Sequence, residues 1–362
     1  MKKILLLFYF SLVLFPVNCF AVSVSARSAV LMDMDSGRIL YEKDKDTPRL
    51  IASITKIMTA ILAIESNLLD EEVEVGEEVL KMYGSNIYLE MDEKMTLSDL
   101  VYGLMLRSGN DASVVIAKFV GGDEENFVRM MNEKAKEIGM TNTVFNNPHG
   151  LDEETQNKST AYDMAKLSGY AYKIPEFRKI SGTKKYSVQS DKKSYVWYNR
   201  NKLLTRYKYS TGGKTGYTPS AGRTLVTTSE KDKLKLTVVT LNDGNEYDTH
   251  VALYEYGFNN YKNYKILDKK RFNVDDGFYK NKVYIKNDFF YPLTEVETDK
   301  VKVLIRLENN KKYRDNDVVG EVIVRLNDKE IYTDYVYENS NVKLNIWDKF
   351  LSLFQGLIKN FT

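Results

Sequence analysis

The spacing of apolar positions changes several times along the chain, and each change marks a new kind of element. From Ala26 the pattern ARSAVLMDMDSGRILYEKD reads as two short strand-like runs joined by Asp35-Ser36-Gly37, a hairpin signal. Residues 53–65 are almost continuously apolar and predict a buried helix. Between about 67 and 170 the apolar residues recur at three and four, the period of amphipathic helices. There Thr96-Leu-Ser-Asp99 resembles a capping box ahead of LVYGLML, a run that ends at Ser108-Gly109. Asp111 opens DASVVIAKFVGG, and EENFVRMMNEKAKEIGM and AYDMAKLSGYAYK follow as further helices. After about residue 183 strand-type runs return (KYSVQS, SYVWYN, GGKTGYT, RTLVTTSE, LKLTVVTLN), and THVALYEYGFNNY closes the region as a helix. Strands on both sides of an inserted helical block predict one α/β unit rather than two independent domains.

The two ends carry different patterns. From about 265 to 338 short strands alternate with turns and predict a small all-β domain. In the tail, KLNIWDKFLSLFQGLIKNF, apolar residues from Ile346 to Phe361 fall at spacings of three and four. That pattern predicts an amphipathic helix over 341–362 suited to a membrane interface, and its charges argue against a span. Helix packing on the β domain is the other use of such a face. At the start, Lys2 and Lys3, the apolar run Ile4–Phe15 and the small-x-small site at Cys19-Phe-Ala21 predict a secretory signal over residues 1–21.

Composition then removes several kinds of chemistry. The 52 basic and 50 acidic residues nearly cancel, so no global field points to nucleic acid, and no nucleic-acid motif is present. Cys19 is the sole cysteine, so cleavage after Ala21 leaves no thiol for disulfides, thiolate zinc sites or a cysteine nucleophile. With two histidines, His149 and His250, a multi-histidine metal centre is not expected, and no GxSxG elbow seats a Ser-His-Asp serine. GGKTG is not a phosphate loop either, because GxxxxGK[ST] requires glycine where Lys208 stands.

Candidate chemistry begins with a serine and a lysine three apart. Ser-x-x-Lys occurs four times, starting at Ser53, Ser181, Ser190 and Ser340; the last three lie in polar, lysine-rich stretches that read as solvated surface. Ser53 alone opens an apolar helix, and at i and i+3 it shares a face with Lys56. Desolvation among Ile54, Ile57, Met58 and Ile61 lowers an amine's proton affinity, and a neutral amine can take the serine proton. The same four residues also fit a capping serine and a lysine that snorkels to water. Ser108-Gly109-Asn110 occurs once between two helices, where a hydroxyl and a carboxamide suit proton passage and substrate holding, or a plain helix end. Lys214-Thr215-Gly216 occurs once on a strand-type run, offering an ammonium and a hydroxyl to a carboxylate, or a glycine-rich turn.

Ser-x-x-Lys, Ser-x-Asn and Lys-Thr-Gly in this order are the signatures of penicillin-recognising serine enzymes. The surrounding segments DMDSGRILYEKDKD, ASITKIMTA, MLRSGNDASVVIA, NPHGLD, STAYDMAKLS and GGKTGYTPSAGRTLV make residues 26–260 resemble the low-molecular-mass D-alanyl-D-alanine carboxypeptidases. The resemblance implies a transpeptidase-like α/β domain over 22–264: an antiparallel sheet flanked by helices, plus a helical subdomain. A β domain over 265–340 and the terminal helix would follow. It implies Ser53 as nucleophile, Lys56 as its base, and Ser108 and Asn110 lining the cleft. Lys214 and Thr215 would bind the terminal carboxylate, Gly216 would let substrate approach the strand, and Ser53 and Tyr217 would lend backbone N–H groups to an oxyanion hole. Implied partners are peptidoglycan stem peptides ending in D-Ala-D-Ala, β-lactams as covalent inhibitors, and the outer face of the cytoplasmic membrane through the terminal helix; no cofactor or metal is implied.

One departure stands out. Some members carry an arginine before the helix ending in Gly-Phe, and this chain has NEYDTH at 245–250, which leaves Lys214, Thr215 or Arg223 to hold the carboxylate. A serine β-lactamase is the competing enzyme reading, since Glu153-x-x-x-Asn157 imitates a deacylating motif. A catalytically silent wall-binding protein is the non-enzymatic one. His149 reads as structural.

Overall fold

The computed structural model describes residues 22–274, 279, 282–308 and 314–339. The leader over 1–21 and the tail helix over 341–362 expected from the sequence lie outside the described residues, as does Ser340.

Five antiparallel strands form the central sheet: β1 (Ser28–Asp33), β2 (Ile39–Lys43), β3 (Ser210–Thr218), β4 (Gly222–Lys231) and β5 (Leu234–Leu241). Their order in space is β2-β1-β5-β4-β3. The expected return of the late strands to the early hairpin is thus met, with Val30 opposite Val239 and Val239 opposite Val226. Side chains alternate across a strand. In β1, Val30 and Met32 enter the core of the helical block, while Ala29 and Leu31 pack with Leu253 and Tyr254 on the other face. Covered on both sides, all six β1 residues are buried, which explains its nearly unbroken apolar run.

The helical block between β2 and β3 contains α1 (Lys56–Glu65), α2 (Leu97–Arg107), α3 (Asn110–Gly121), α4 (Glu124–Ile138) and α5 (Ala161–Tyr172); α6 (Glu246–Asn260) lies on the opposite face of the sheet. Thr96 Oγ1 caps α2, accepting from the Asp99 N–H at 3.1 Å, and Thr160 caps α5 through Asp163 at 3.0 Å. Gly139 ends α4 at φ +80°, a conformation an L side chain resists. The helix expected over 53–65 differs in its opening: Ala52–Thr55 is a 3-10 turn, and the α-helix proper begins at Lys56.

Beyond α6, Lys262–Leu267 pairs with Phe289–Leu293, and a curled four-stranded sheet follows in the order Val283–Tyr284, Lys329–Glu338, Val318–Leu326, Val301–Leu307. Asn327 and Asp328 both take positive φ between its two longest strands, the tight hairpin geometry that right-twisted strands favour. Phe289, Val322, Val324 and Val336 give this sheet a core of its own.

Arg38, just past the tip of the β1–β2 hairpin, ties the second unit to the first. Its guanidinium donates to Pro292 O and to Glu297 Oε1, both at 2.5 Å, and lies over the rings of Tyr261 and Tyr291. Both charged side chains are largely shielded from water, so the pair is screened little. Arg38→Ala should lower the unfolding free energy of the β unit by about 2 kcal/mol, the value of a charge-assisted hydrogen bond lost with its partner left in place. Denaturant unfolding followed by tyrosine fluorescence checks this, and an unchanged midpoint would show that the clamp contributes nothing.

Candidate active site

Ser53 stands in the Ala52–Thr55 turn, where the chain passes from Leu50 into α1. The turn needs an unusual backbone: Ala52 has φ +49°, a left-handed conformation a non-glycine residue adopts only when its surroundings impose it. Two glycines allow those surroundings to close in. A Cβ on Gly150 (φ +86°) would collide with the Ala52 carbonyl, and one on Gly216 would lie 2.9 Å from the Ser53 nitrogen. Thr224 Oγ1 completes the clamp by donating to Ile51 O at 2.9 Å. Strand β3 therefore runs directly beside Ser53.

One helical turn on, Lys56 Nζ meets three oxygens: Ser53 Oγ at 3.1 Å, Asn110 Oδ1 at 2.7 Å and the His149 carbonyl at 2.5 Å. Asn110 is oriented from its other end, Nδ2 donating to Tyr83 O at 2.6 Å. Ser108 ends α2 in the left-handed region (φ +66°) and accepts from Lys214 Nζ at 3.0 Å. Lys214 sits on β3 opposite Val226 and also donates to Thr215 O at 2.7 Å. Ser-x-x-Lys, Ser-x-Asn and Lys-Thr-Gly, far apart in sequence, thus converge on one place.

Above them is a cleft of about 480 Å³ whose walls include Ser53, Ser108, Thr215, Gly216 and Tyr217. Lys56, Asn110 and Lys214 are buried beneath it. β3 is an edge strand, so its outer backbone groups face the cleft without a neighbouring strand.

Burial dominates the electrostatics. It drives the Lys56 amine well below the ordinary lysine range, helped by the charges of Lys214 and Arg200 and opposed by Asp111. Burial and the Arg200 charge bring Lys214 down to about 7. His149 falls to about 3 through burial and the nearby Lys56, so its ring is neutral. That ring accepts the Leu151 N–H through Nδ1 at 3.0 Å and serves the loop, as expected; the residue's contribution to the site is its carbonyl.

A family model described as D-alanyl-D-alanine carboxypeptidase (peptidase S11) matches residues 17–245. The chain belongs to that family. It is 35% identical over 255 residues to the D-alanyl-D-alanine carboxypeptidase DacF of Bacillus subtilis, covering 68% of this chain and 65% of that protein. With DacA of Haemophilus influenzae it shares 31% identity over 331 residues, covering 85% of this chain and 83% of the relative. Among solved structures, penicillin binding protein 5 from Haemophilus influenzae superposes with a TM-score of 0.74 at 28% identity, covering 88% of this chain and 97% of that one. A family member of 362 residues thus spans just under two thirds of the Bacillus relative and most of the Haemophilus ones.

Some residues stand where no motif pointed, and others do something their motif did not suggest. Arg200 lines the cleft from an exposed position, with Nη1 donating to Ser85 Oγ at 2.7 Å; it follows the 185–198 hairpin in a stretch, NRN, with no recognisable signature. Arg223 also lines the cleft but is largely exposed and pairs with Glu246 at 3.4 Å. Asn157 is buried and donates to Thr55 Oγ1 at 3.0 Å and Asn147 O at 2.9 Å, which makes it a brace beneath the Ala52–Thr55 turn, while Glu153 stays exposed. Ser181 and Ser190, expected at the surface, are buried; the Ser190 hydroxyl donates to Glu93 at 2.6 Å. Their neighbouring lysines hid that in the sequence.

The glycine contact yields a test. Gly150→Ala should displace the Ala52–Ser53 turn and cut the rate of Ser53 acylation by labelled penicillin on the order of 10²-fold, the effect of an ångström-scale misplacement of a reacting atom. Stopped-flow labelling beside a thermal melt reads it; wild-type labelling by the variant would show that the turn does not depend on this contact.

Proposed function

We propose that the protein is a serine-type D-Ala-D-Ala carboxypeptidase that removes the terminal D-alanine from peptidoglycan stem peptides through an acyl-enzyme on Ser53. The observation that carries this reading is the set of partners around Lys56. Two of its three neighbours, Asn110 Oδ1 and His149 O, are carbonyl oxygens and can only accept. A neutral amine has two N–H groups and one lone pair. With both N–H groups taken by the carbonyls, the lone pair is left facing the Ser53 hydroxyl. Burial supplies the neutral form.

Ser53 Oγ attacks the carbonyl of the penultimate D-alanine as its proton passes to Lys56 Nζ. The C–N bond then breaks, the leaving amine takes a proton through Lys214 and Ser108, and D-alanine departs. Water hydrolyses the ester to restore Ser53. Ser53 and Tyr217 N–H groups stabilise the oxyanion, and the peptide lies along the open edge of β3 as an added strand. Lys214, Thr215 and Arg200 receive the terminal carboxylate in place of the arginine that the 245–250 stretch lacks. β-Lactams acylate Ser53 as mimics of the same peptide. The sequence patterns of residues 1–21 and 341–362, a leader and an amphipathic tail, support a site of action outside the cytoplasmic membrane and at its surface.

The β-lactamase alternative gains no support from Glu153, which is exposed rather than hydrogen-bonded to the serine or lysine.

Purified protein should release D-alanine from diacyl-Lys-D-Ala-D-Ala, and Ser53→Ala should abolish both that release and penicillin labelling while folding normally. Labelling that persists at another serine would overturn the nucleophile. Lys56→Arg keeps the charge but cannot give up a proton, so turnover should fall about 10³-fold, the scale of a lost general base. In the wild type, turnover should decline as pH falls through the depressed Lys56 pKa, because the protonated amine cannot accept. Near-normal turnover by the arginine variant would reduce Lys56 to a fixed charge.

A further inference from the structure

The residue that follows the Ser-x-Asn motif has been given no part in the reaction. Asp111 opens α3 from a position only 2% exposed. Its Oδ1 accepts from the N–H groups of Ile87 at 3.0 Å and Ala112 at 2.9 Å, and its Oδ2 from Leu89 at 3.1 Å. No side-chain cation is among these donors. The neighbouring Asn110 holds the same segment two and four residues earlier, through its N–H to Ser85 O at 2.7 Å and its Nδ2 to Tyr83 O at 2.6 Å. Every second residue from Tyr83 to Leu89 is therefore tied to Asn110 or Asp111, and Arg200 holds Ser85 from the far side.

We propose that Asp111 is a positioning residue for the Ser53 reaction: its buried carboxylate pins the 83–89 segment that orients Asn110 and sets a negative charge against the ammonium form of Lys56. The inference rests on the roles given above to Ser53 and Lys56. Its logic is a balance of charges. Besides Asp111, the charged and titratable groups that act on Lys56 are Lys214 on β3, Arg200 on the cleft wall after the 185–198 hairpin, and the neutral His149 ring in the 147–151 loop. Both cations and burial disfavour its protonated form; Asp111 is the one carboxylate among these groups that favours it. An amine desolvated beside two cations, with nothing opposing them, would be too weak a base to take the serine proton efficiently. Asp111 restores part of its basicity while remaining one residue removed from contact. A carboxylate also suits the anchoring task, since all its lone pairs accept, whereas an amide turns an N–H group toward donors.

The test is the pH profile of kcat/KM for D-alanine release, measured for the wild type, Asp111→Asn, Asp111→Ser and Asp111→Glu, with a thermal melt for each. Both neutral variants should move the acidic limb to lower pH by roughly one unit, the shift expected when one neighbouring opposite charge is removed. Their plateau should fall as well, because the base is weaker. Asp111→Glu should keep the limb at its wild-type pH even if the longer side chain slows turnover. Asp111→Ser carries the comparison if the asparagine variant does not fold, since it adds no N–H group. Neutral variants with a reduced plateau and an unmoved limb would overturn the proposal and leave Asp111 as a loop anchor. A wild type that neither releases D-alanine nor binds penicillin covalently would instead overturn the assignment of Ser53 and Lys56.

Discussion

The structure turns on one buried amine. A lysine head group carried out of water favours its neutral form, and that form is useful only if its N–H groups have partners and its lone pair has a target. Lys56 Nζ has Asn110 Oδ1, the His149 carbonyl and Ser53 Oγ within hydrogen-bond reach; in the proposed reading the first two take its N–H groups and Ser53 is the target of its lone pair. Each partner comes from a different part of the chain: the 3-10 turn before α1, the start of α3 and the 147–151 loop. Much of the helical block can be understood as the apparatus that brings these three oxygens to one nitrogen.

That apparatus depends on close backbone approach. Gly150 and Gly216 flank the Ala52–Thr55 turn where side chains would not fit, and the left-handed Ala52 and Ser108 direct the chain around the site. Conformations of this kind survive only where neighbouring contacts over-determine them. Here the neighbours are Thr224 on the Ile51 carbonyl, Asn157 on Thr55, and Thr59 donating to Pro148 O at 2.6 Å. Thr218 ties the end of β3 to the loop by donating to Asp152 at 2.6 Å. The polar residues behind the site are thus occupied in holding the backbone, while Ser53, Ser108, Thr215 and Arg200 line the cleft itself.

Among the described residues the second unit makes no contribution to these contacts. Its sheet closes over its own apolar residues, and Arg38 with two tyrosine rings and Glu297 fixes it to the far end of the first hairpin. An arginine is well suited there: its planar group donates to a carbonyl and a carboxylate together while its faces stack on aromatics.

By itself the sequence determined the order of elements, the burial of α1, the helix cap at Thr96 and the candidates Ser53, Lys56, Ser108, Asn110, Lys214 and Thr215. These are local matters: periodicity, capping chemistry and motif spacing are written in consecutive residues. It also marked residues 53–65 as helical without separating the 3-10 turn that seats Ser53, because that bend is imposed by Gly150, Gly216 and Thr224, the nearest of them almost a hundred residues away in sequence. Arg200 and Asp111 went unread for the same reason. Nothing beside them in the chain distinguishes a surface arginine or a helix-opening aspartate from one that faces a buried amine. Their significance lies in which distant groups they are brought near, Asp111 from a buried position and Arg200 from the cleft wall, and only the tertiary structure decides that.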